Sequence, residues 1–349
     1  MGFLIRAIRS DDIHQMTDLT KQFHLMNLPG ERKVLSDKIE RSVASFAGDL
    51  PKEKSEYIFV IEDTEEKLIV GSSLIIAKHG NEDVPHTFFK VIKKNHFSED
   101  LGIGFIHQIL RFQMDMDGPS EIGGLLIDKS YRRRPEKLGK QISFARFNYI
   151  GLFPDRFEER LLCELTPPLT DEGRSEFWEA LGRRFTGLPY QEADLLSQSH
   201  KEFIQSLFPE EDIYVCLLET KARTVIGRVG EATKPAQYLL ESVGFRYLEE
   251  VDPFDGGPHY GVQTKDLIPI QTGVKAQVTE FKDAVYKHHG LVGLDTDYYR
   301  CTHTPFDLRG NEIALPPQTL KLLEVEQEQE VYINSWSAVS SNHKREGAL

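Results

Sequence analysis

The sequence predicts an α/β chain (α+β): one mixture of strands and helices, a second such mixture, and a short all-β stretch. Three observations carry this. Residues 3–77 read as a strand, two helical patterns and a β-rich hairpin. Strand and helix patterns resume after Phe153 without clear repetition of the first set. From about Lys275, helical periodicity gives way to short β-like runs and turns. The expected units are 1–152, 153–272, a small β module at 273–336, and a tail at 337–349.

The elements follow in order. Residues 3–8 read as a strand. Asp11 or Asp12 can cap a helix that turns Ile13, Met16, Leu19 and Phe23 inward. Leu28-Pro29-Gly30 breaks it, and Leu35, Ile39, Val43 and Phe46 share one face of the next helix. Tyr57–Glu62 and Leu68–Ala77 flank the polar turn Asp63–Lys67 as a hairpin. Ile122 and Leu125–Ile127 form a buried strand, and Ile142, Ala145, Tyr149 and Leu152 recur at helical spacing. Further on, Arg160–Leu165 and Ile213–Leu218 read as strands. Phe177, Leu181 and Phe185 make a helical stripe, and 193–196 and 203–208 are helical. Pro235–Val243 is a helix closed by Gly244, and Phe245–Val251 a strand. The β-like runs of the last unit are Ala284–Lys287, Leu291–Leu294, Tyr298–Thr302 and Glu330–Ile333, with a tight turn at 308–312.

Composition narrows the function classes. Charged residues at 28% and hydrophobic residues at 40% over 349 residues are ordinary for a globular protein with ample core. A formal net charge of -13 argues against a general binder of nucleic acid or anionic membrane. No apolar run reaches spanning length, and MGFLIRAIRSDD lacks the form of a signal peptide, so a cytoplasmic protein is expected. Cys163, Cys216 and Cys301 have no metal spacing and read as buried free thiols of a reducing compartment.

Against that acidic background, Arg132, Arg133, Arg134, Lys137, Gly139 and Lys140 form a basic cluster between a strand and a helix. Backbone N–H groups at a helix start favour an anion, and arginine adds forked donors. Neither GxxxxGK[ST] nor GxGxxG is present. The stretch is closer to the R-x-x-G-x-G/A pyrophosphate loop of the acyl-CoA-dependent GNAT acyltransferases. On its own it reads equally well as a solvated basic turn.

The second half is more specific. The block Gly173 to Phe185 (GRSEFWEALGRRF) resembles the GxSPFWxxLGxxFF block of bacterial arginine N-succinyltransferases. Val225–Val229 (VIGRV) resembles that family's VIGQV, and Gly244–Tyr247 with Asp252–Pro258 (DPFDGGP) resembles its GFRY…DIFDGGP. Leu28-Pro29, Lys38–Arg41, Tyr57–Asp63 and Ser120-Glu121 also fit, so the likeness runs over about residues 1–335 in order. It implies duplicated GNAT-like halves with a small C-terminal β module. It implies succinyl-CoA as co-substrate, L-arginine as acceptor, no metal, and a homodimer or a pairing with a related chain.

Amine acylation from a thioester needs a free amine, a hydrogen-bond donor for the carbonyl oxygen, and a proton for the thiolate. In GNAT folds the donor is a backbone N–H on the cofactor strand, here near Leu125 and Leu126. The family histidine after VIGQV falls on Gly230. Loss of such a group typically costs roughly 10²–10⁴-fold in rate. Glu231 and His259 are the candidate replacements; a changed substrate or a non-catalytic relative are the alternatives. Glu231 also reads as a surface charge, and His259 as an exposed loop histidine. One of two family glycines in the cofactor loop falls on Lys137, the other on Gly139, and the loop is about two residues longer. Glu164 and Asp255 match acidic family positions suited to a guanidinium. Each also has a structural reading, Asp255 foremost as a turn-former and Glu164 as a buried strand acid paired with an arginine. Trp178 and Phe177 read as core. Arg146 and Arg174 are candidates by location for a succinyl carboxylate. His288, His289 and His303 lack ligand spacing and read as surface histidines.

Three functions are therefore weighed: a CoA-dependent N-acyltransferase, an acyl-CoA-binding relative without turnover, and a nucleotide-phosphate binder. FDGGP and FWxxLG speak against the third.

Overall fold

The computed structural model describes residues 2–23, 28, 30–197, 202–295 and 297–336. The expected tail at 337–349 and Pro29 of the first helix break lie outside them. Among the described residues, no helix is long and apolar enough to cross a membrane.

The first unit opens as expected with β1 (Phe3–Ala7), α1 (Ile13–Thr20), α2 (Arg32–Ala47), β2 (Glu56–Asp63) and β3 (Leu68–Ile76). Met16, Leu19, Leu35 and Ile39 pack with Ile58, Val60 and Leu74, so the 3.6-residue periodicity does face the sheet. A hairpin then appears that sequence analysis left unassigned: β4 (His86–Ser98) and β5 (Ile103–Asp115), paired along its whole length. Its tip carries Phe97, Leu101, Phe105 and Ile106 in the open. Apolar residues on both faces blur the alternation that marks a half-buried strand.

β6 (Ser120–Ile127), α3 (Leu138–Leu152) and β7 (Arg160–Glu164) follow. The Phe177–Phe185 stripe divides into α4 (Glu176–Ala180) and α5 (Gly182–Thr186). The break comes at Leu181, where Gly182 lies on the ring of Trp178: a Cβ there would be 2.2 Å from the indole. Trp178 and Phe177 are fully buried, as core residues.

Next come α6 (Tyr190–Ser197), α7 (Glu202–Leu207), β8 (Ile213–Tyr214), α8 (Thr220–Val225), α9 (Lys234–Ser242), β9 (Arg246–Val251), β10 (Pro258–Gln263) and α10 (Ile268–Gln271). The strand expected over Ile213–Leu218 is only two residues long; Val215–Leu217 turn as a 3-10 helix, leaving Leu217 exposed. Cys216 is exposed as well, against expectation, while Cys163 and Cys301 are buried. The last unit holds β11 (Val274–Val278), β12 (His288–Asp295), β13 (Tyr299–Arg309), β14 (Glu312–Ala314), α11 (Pro317–Leu323) and β15 (Glu330–Ser335). Ala284–Lys287 is irregular rather than β.

All strands join one sheet in the order β12-β15-β11-β14-β13-β1-β2-β3-β6-β7-β10-β9-β4-β5-β8. Pairing of β6 with β7, β4 with β9 and β5 with β8 crosses residue 152. Strands of the last unit enter through β13 on β1. The largest core cluster lies under α3, where Ile142, Phe144, Phe147 and Tyr149 pack on Phe59, Ile122 and Leu161.

Candidate active site

The centre of the sheet is opened by two irregularities on β6. Ser72 opposes Leu126 and Leu74 opposes Gly123, so Gly124 and Leu125 together face Ser73 as a bulge. Gly124 takes φ 58, and a Cβ there would meet the Leu74 side chain at 2.8 Å, so glycine is required. On its other side β6 runs parallel to β7 only at Ser120–Leu161 and Glu121–Leu162. Beyond Glu121 no ladder pair joins the two strands, and the backbone at Gly124–Leu125 stands outside both ladders.

The loop after β6 leads to the start of α3. Asp128 accepts from Ser130 N at 2.8 Å and from Gln22 Nε2 at 2.7 Å. Arg132 donates to Ile127 O at 3.1 Å and lies over Phe23; Arg134 lies 3.9 Å over the Tyr131 ring. Lys137 caps α3 in the left-handed region at φ 56, a conformation suited to glycine. Gly139 is open: its Cβ would meet only Ile127 Cγ1, at 3.7 Å. Arg132, Arg133 and Lys137 are exposed beside this helix start. Lys140 instead lies over the Phe144 and Trp336 rings, and burial with Lys137 nearby lowers its pKa.

Arg146 on α3 reaches the bulge from below. It is 2% exposed and donates to Gly123 O, Ser143 O and Ser143 Oγ. Among the described residues no carboxylate pairs with it. Burial lowers its pKa to about 10, still cationic at neutral pH.

On the other face of β6, β7 and β10 sits a cluster that sequence analysis did not assemble. Cys163 and Tyr260 pair across β7 and β10 and join the core under α3, so their neighbours Glu164 and His259 face the opposite way. His259 Nε2 is 3.7 Å from Glu164 Oε1. His79 Nε2 and His86 Nδ1 are each 4.0 Å from that same oxygen. His79 Nδ1 is 2.7 Å from Glu121 Oε2. Asp252 lies with Glu164 and His259, their ligand atoms all within 4.8 Å of one another. His259 is fully buried, neither ring nitrogen has a hydrogen-bond partner, and burial pushes its pKa down to about 3.

Other expected residues are placed differently. Glu231 is exposed and pairs with Lys234 at the start of α9. Asp255 is buried and its Oδ1 accepts from Gly257 N at 2.7 Å, closing its own turn. Gly230 N–H donates to Thr166 O at 3.0 Å, and a Cβ at 230 would lie 2.8 Å from Pro167 O. Arg174 is exposed beside Glu172. His288 and His289 are exposed, as expected, whereas His303 is part-buried against Trp336. Two overlapping groups, His79 with His86 and Glu164, and Glu164 with Asp252 and His259, each bring their ligand atoms within 4.8 Å of one another, and no short spacing in the sequence marks either. A cleft of about 710 Å³ lined by Lys52, Asp117, Glu158 and Arg160 holds none of these groups.

A bulged strand, a parallel pair that opens after two residues, and a basic loop entering a helix define the class: an α/β acyltransferase of the GNAT type. Residues 3–268 match the family described as arginine N-succinyltransferase beta subunit. The chain is 34% identical over 310 residues to the arginine N-succinyltransferase of Escherichia fergusonii, covering 84% of this chain and 89% of that one. It is 34% identical over 258 residues to that of Shigella boydii serotype 18, covering 73% and 74%. The arginine/ornithine succinyltransferase subunit AI from Pseudomonas aeruginosa superposes with a TM-score of 0.82 at 25% identity, covering 96% of this chain and 98% of that chain. The protein belongs to the arginine N-succinyltransferase family and is an acyltransferase.

Proposed function

We propose that this protein transfers the succinyl group of succinyl-CoA to the α-amine of L-arginine or a closely related cationic amine. The observation that carries this reading is the opening between β6 and β7, floored by the Gly124–Leu125 bulge, in a chain of this family.

The CoA phosphates lie along Arg132, Arg133, Arg134, Lys137 and the first turn of α3, with Gly139 leaving room for close approach. The thioester enters the opening. The Leu125 N–H, outside both ladders, hydrogen-bonds the carbonyl oxygen as it gains charge, with Leu126 buried behind it. Arg146, cationic and without a carboxylate, holds the far carboxylate of the succinyl group. The amine attacks the carbonyl carbon, the C–S bond breaks, and CoA leaves as thiolate or thiol. Glu164 supplies the negative charge a guanidinium needs, while Asp252 and Asp255 shape the turn beside it.

The ammonium must first lose a proton, and Gly230 cannot take it. We assign that task to the His259–Glu164 pair. His259 is neutral, so its lone pair is available, and burial makes it a weak base that hands the proton to the Glu164 carboxylate beside it. Glu231, committed to Lys234 on the surface, has no part in this scheme.

The test is release of free thiol from succinyl-CoA with L-arginine and with a panel of amines. Arginine-dependent release supports the reading. CoA binding without turnover on any amine would leave a binding protein, the alternative that the loss of the family histidine favours.

A further inference from the structure

We propose that His79, His86, Glu164 and His259 form a binding site for one divalent transition-metal ion of the zinc class. Three imidazole nitrogens, two from the 79–86 loop and one from β10, lie 3.7 to 4.0 Å from a single carboxylate oxygen. The edge of a tetrahedron of ligands at ~2.1 Å is about 3.4 Å; His79, His86 and Glu164 already lie with their ligand atoms within 4.8 Å of one another, and a turn of the His259 ring toward them completes the set. Imidazole with carboxylate selects zinc-like ions over magnesium or calcium.

The surroundings fit a metal site. His79 Nδ1 is held by Glu121 Oε2 at 2.7 Å, which fixes Nε2 as the free lone pair facing Glu164. A carboxylate behind a ligating histidine is the usual outer support of such sites. His86 stacks on Phe88, with ring centroids 5.4 Å apart. Gly80, at φ 111, brings the two halves of the 79–86 loop together; a Cβ there would lie 2.6 Å from His86 N. His259 supplies the independent observation. It is fully buried with both ring nitrogens unpartnered, a costly state that a metal on Nε2 relieves at that nitrogen. An ion held by all four side chains would be a closed, structural one that ties the 79–86 loop to β7 and β10. Binding of the ion does not depend on the acyl-transfer reading.

The test is titration of chelator-stripped, full-length protein with Zn²⁺ against a chromophoric chelator, and with Co²⁺ followed by its visible spectrum. One equivalent of Zn²⁺ bound tightly and a tetrahedral-type Co²⁺ spectrum are expected. Glu121→Gln is expected to weaken binding about 10- to 100-fold, and His79→Ala or Glu164→Gln to weaken it further. Thermal melts in chelator identify folded variants, and the conservative glutamine variants serve if His79→Ala does not fold. The double variant His288→Ala/His289→Ala leaves binding unchanged. Absence of stoichiometric binding to the parent protein overturns the proposal. So does binding that survives Glu164→Gln but is lost in the His288/His289 variant.

Discussion

Glu164 and His259 face each other across the β7–β10 ladder, His259 Nε2 lying 3.7 Å from Glu164 Oε1. The relationship follows from strand period alone: Cys163 and Tyr260, one step along, point into the core. A one-residue register slip would exchange the two pairs and bury the carboxylate under α3.

His259 makes stability depend on pH in the metal-free protein. Its folded pKa, about 3, lies below the ordinary 6.5. Between these values the unfolded chain binds the extra proton, so stability falls as pH falls, by up to ~1.4 kcal/mol per pH unit. Above pH 6.5 the contribution is complete. Urea melts of the parent and of His259→Asn, in chelator from pH 7 to pH 4, are expected to show a shallower acid slope in the variant. Parallel slopes would mean that His259 does not titrate on unfolding.

Gly230 does not readily accept a side chain, including the histidine that the resemblance implies there. A Cβ at 230 meets Pro167 O at 2.8 Å, and backbone on both sides must shift because Gly230 N–H is bonded to Thr166 O. Gly230→His is expected to lose ~1–3 kcal/mol of stability by overpacking. Gly230→Ala, which adds the Cβ alone, should lose part of that. Chemical denaturation measures both; an undiminished Gly230→His would show that the 166–167 turn yields freely.

Much of the fold was legible where one face of an element is buried. Met16, Leu19, Leu35 and Ile39 mark their helices because the sheet lies on one side of them. The β4–β5 hairpin was missed because Phe97, Leu101, Phe105 and Ile106 keep apolar side chains in solvent, so no alternation survives. At the site, the basic loop was visible because its charges are contiguous. The His79, His86, Glu164 and His259 cluster was not, because pairing of β4 with β9 and β10 with β7 brings distant segments together. His259 was singled out, but as an exposed loop residue or a replacement base rather than a buried member of a histidine cluster.

Lys137 holds a left-handed backbone, at φ 56, a conformation that glycine takes without strain. A non-glycine residue there costs roughly 1–2 kcal/mol, partly offset by the greater unfolded-state freedom of glycine. Lys137→Gly is expected to raise unfolding stability by up to ~1 kcal/mol. The affinity for CoA should fall only a few-fold, because Arg132, Arg133 and Arg134 remain. Urea melts and CoA titration separate the two effects; a large loss of CoA affinity with unchanged stability would make Lys137 a principal phosphate contact.

Arg146 offers the sharpest test of the donor. Its guanidinium is buried, donates to Gly123 O and Ser143, and among the described residues pairs with no carboxylate. Two roles are physically distinct. If it only braces the bulge, Arg146→Met lowers turnover of every acyl-CoA alike, since all use the same Leu125 N–H. If it holds the succinyl carboxylate, the loss is selective: a hydrogen bond to a charged group contributes about 1.5–3 kcal/mol, or roughly 10- to 100-fold. Arg146→Met is therefore expected to raise KM for succinyl-CoA by that factor while KM for acetyl-CoA changes little. Arg146→Lys, which keeps the charge but loses the fork, should recover part of the loss. Equal losses on both donors would assign Arg146 to the strand, and the succinyl carboxylate to another cation.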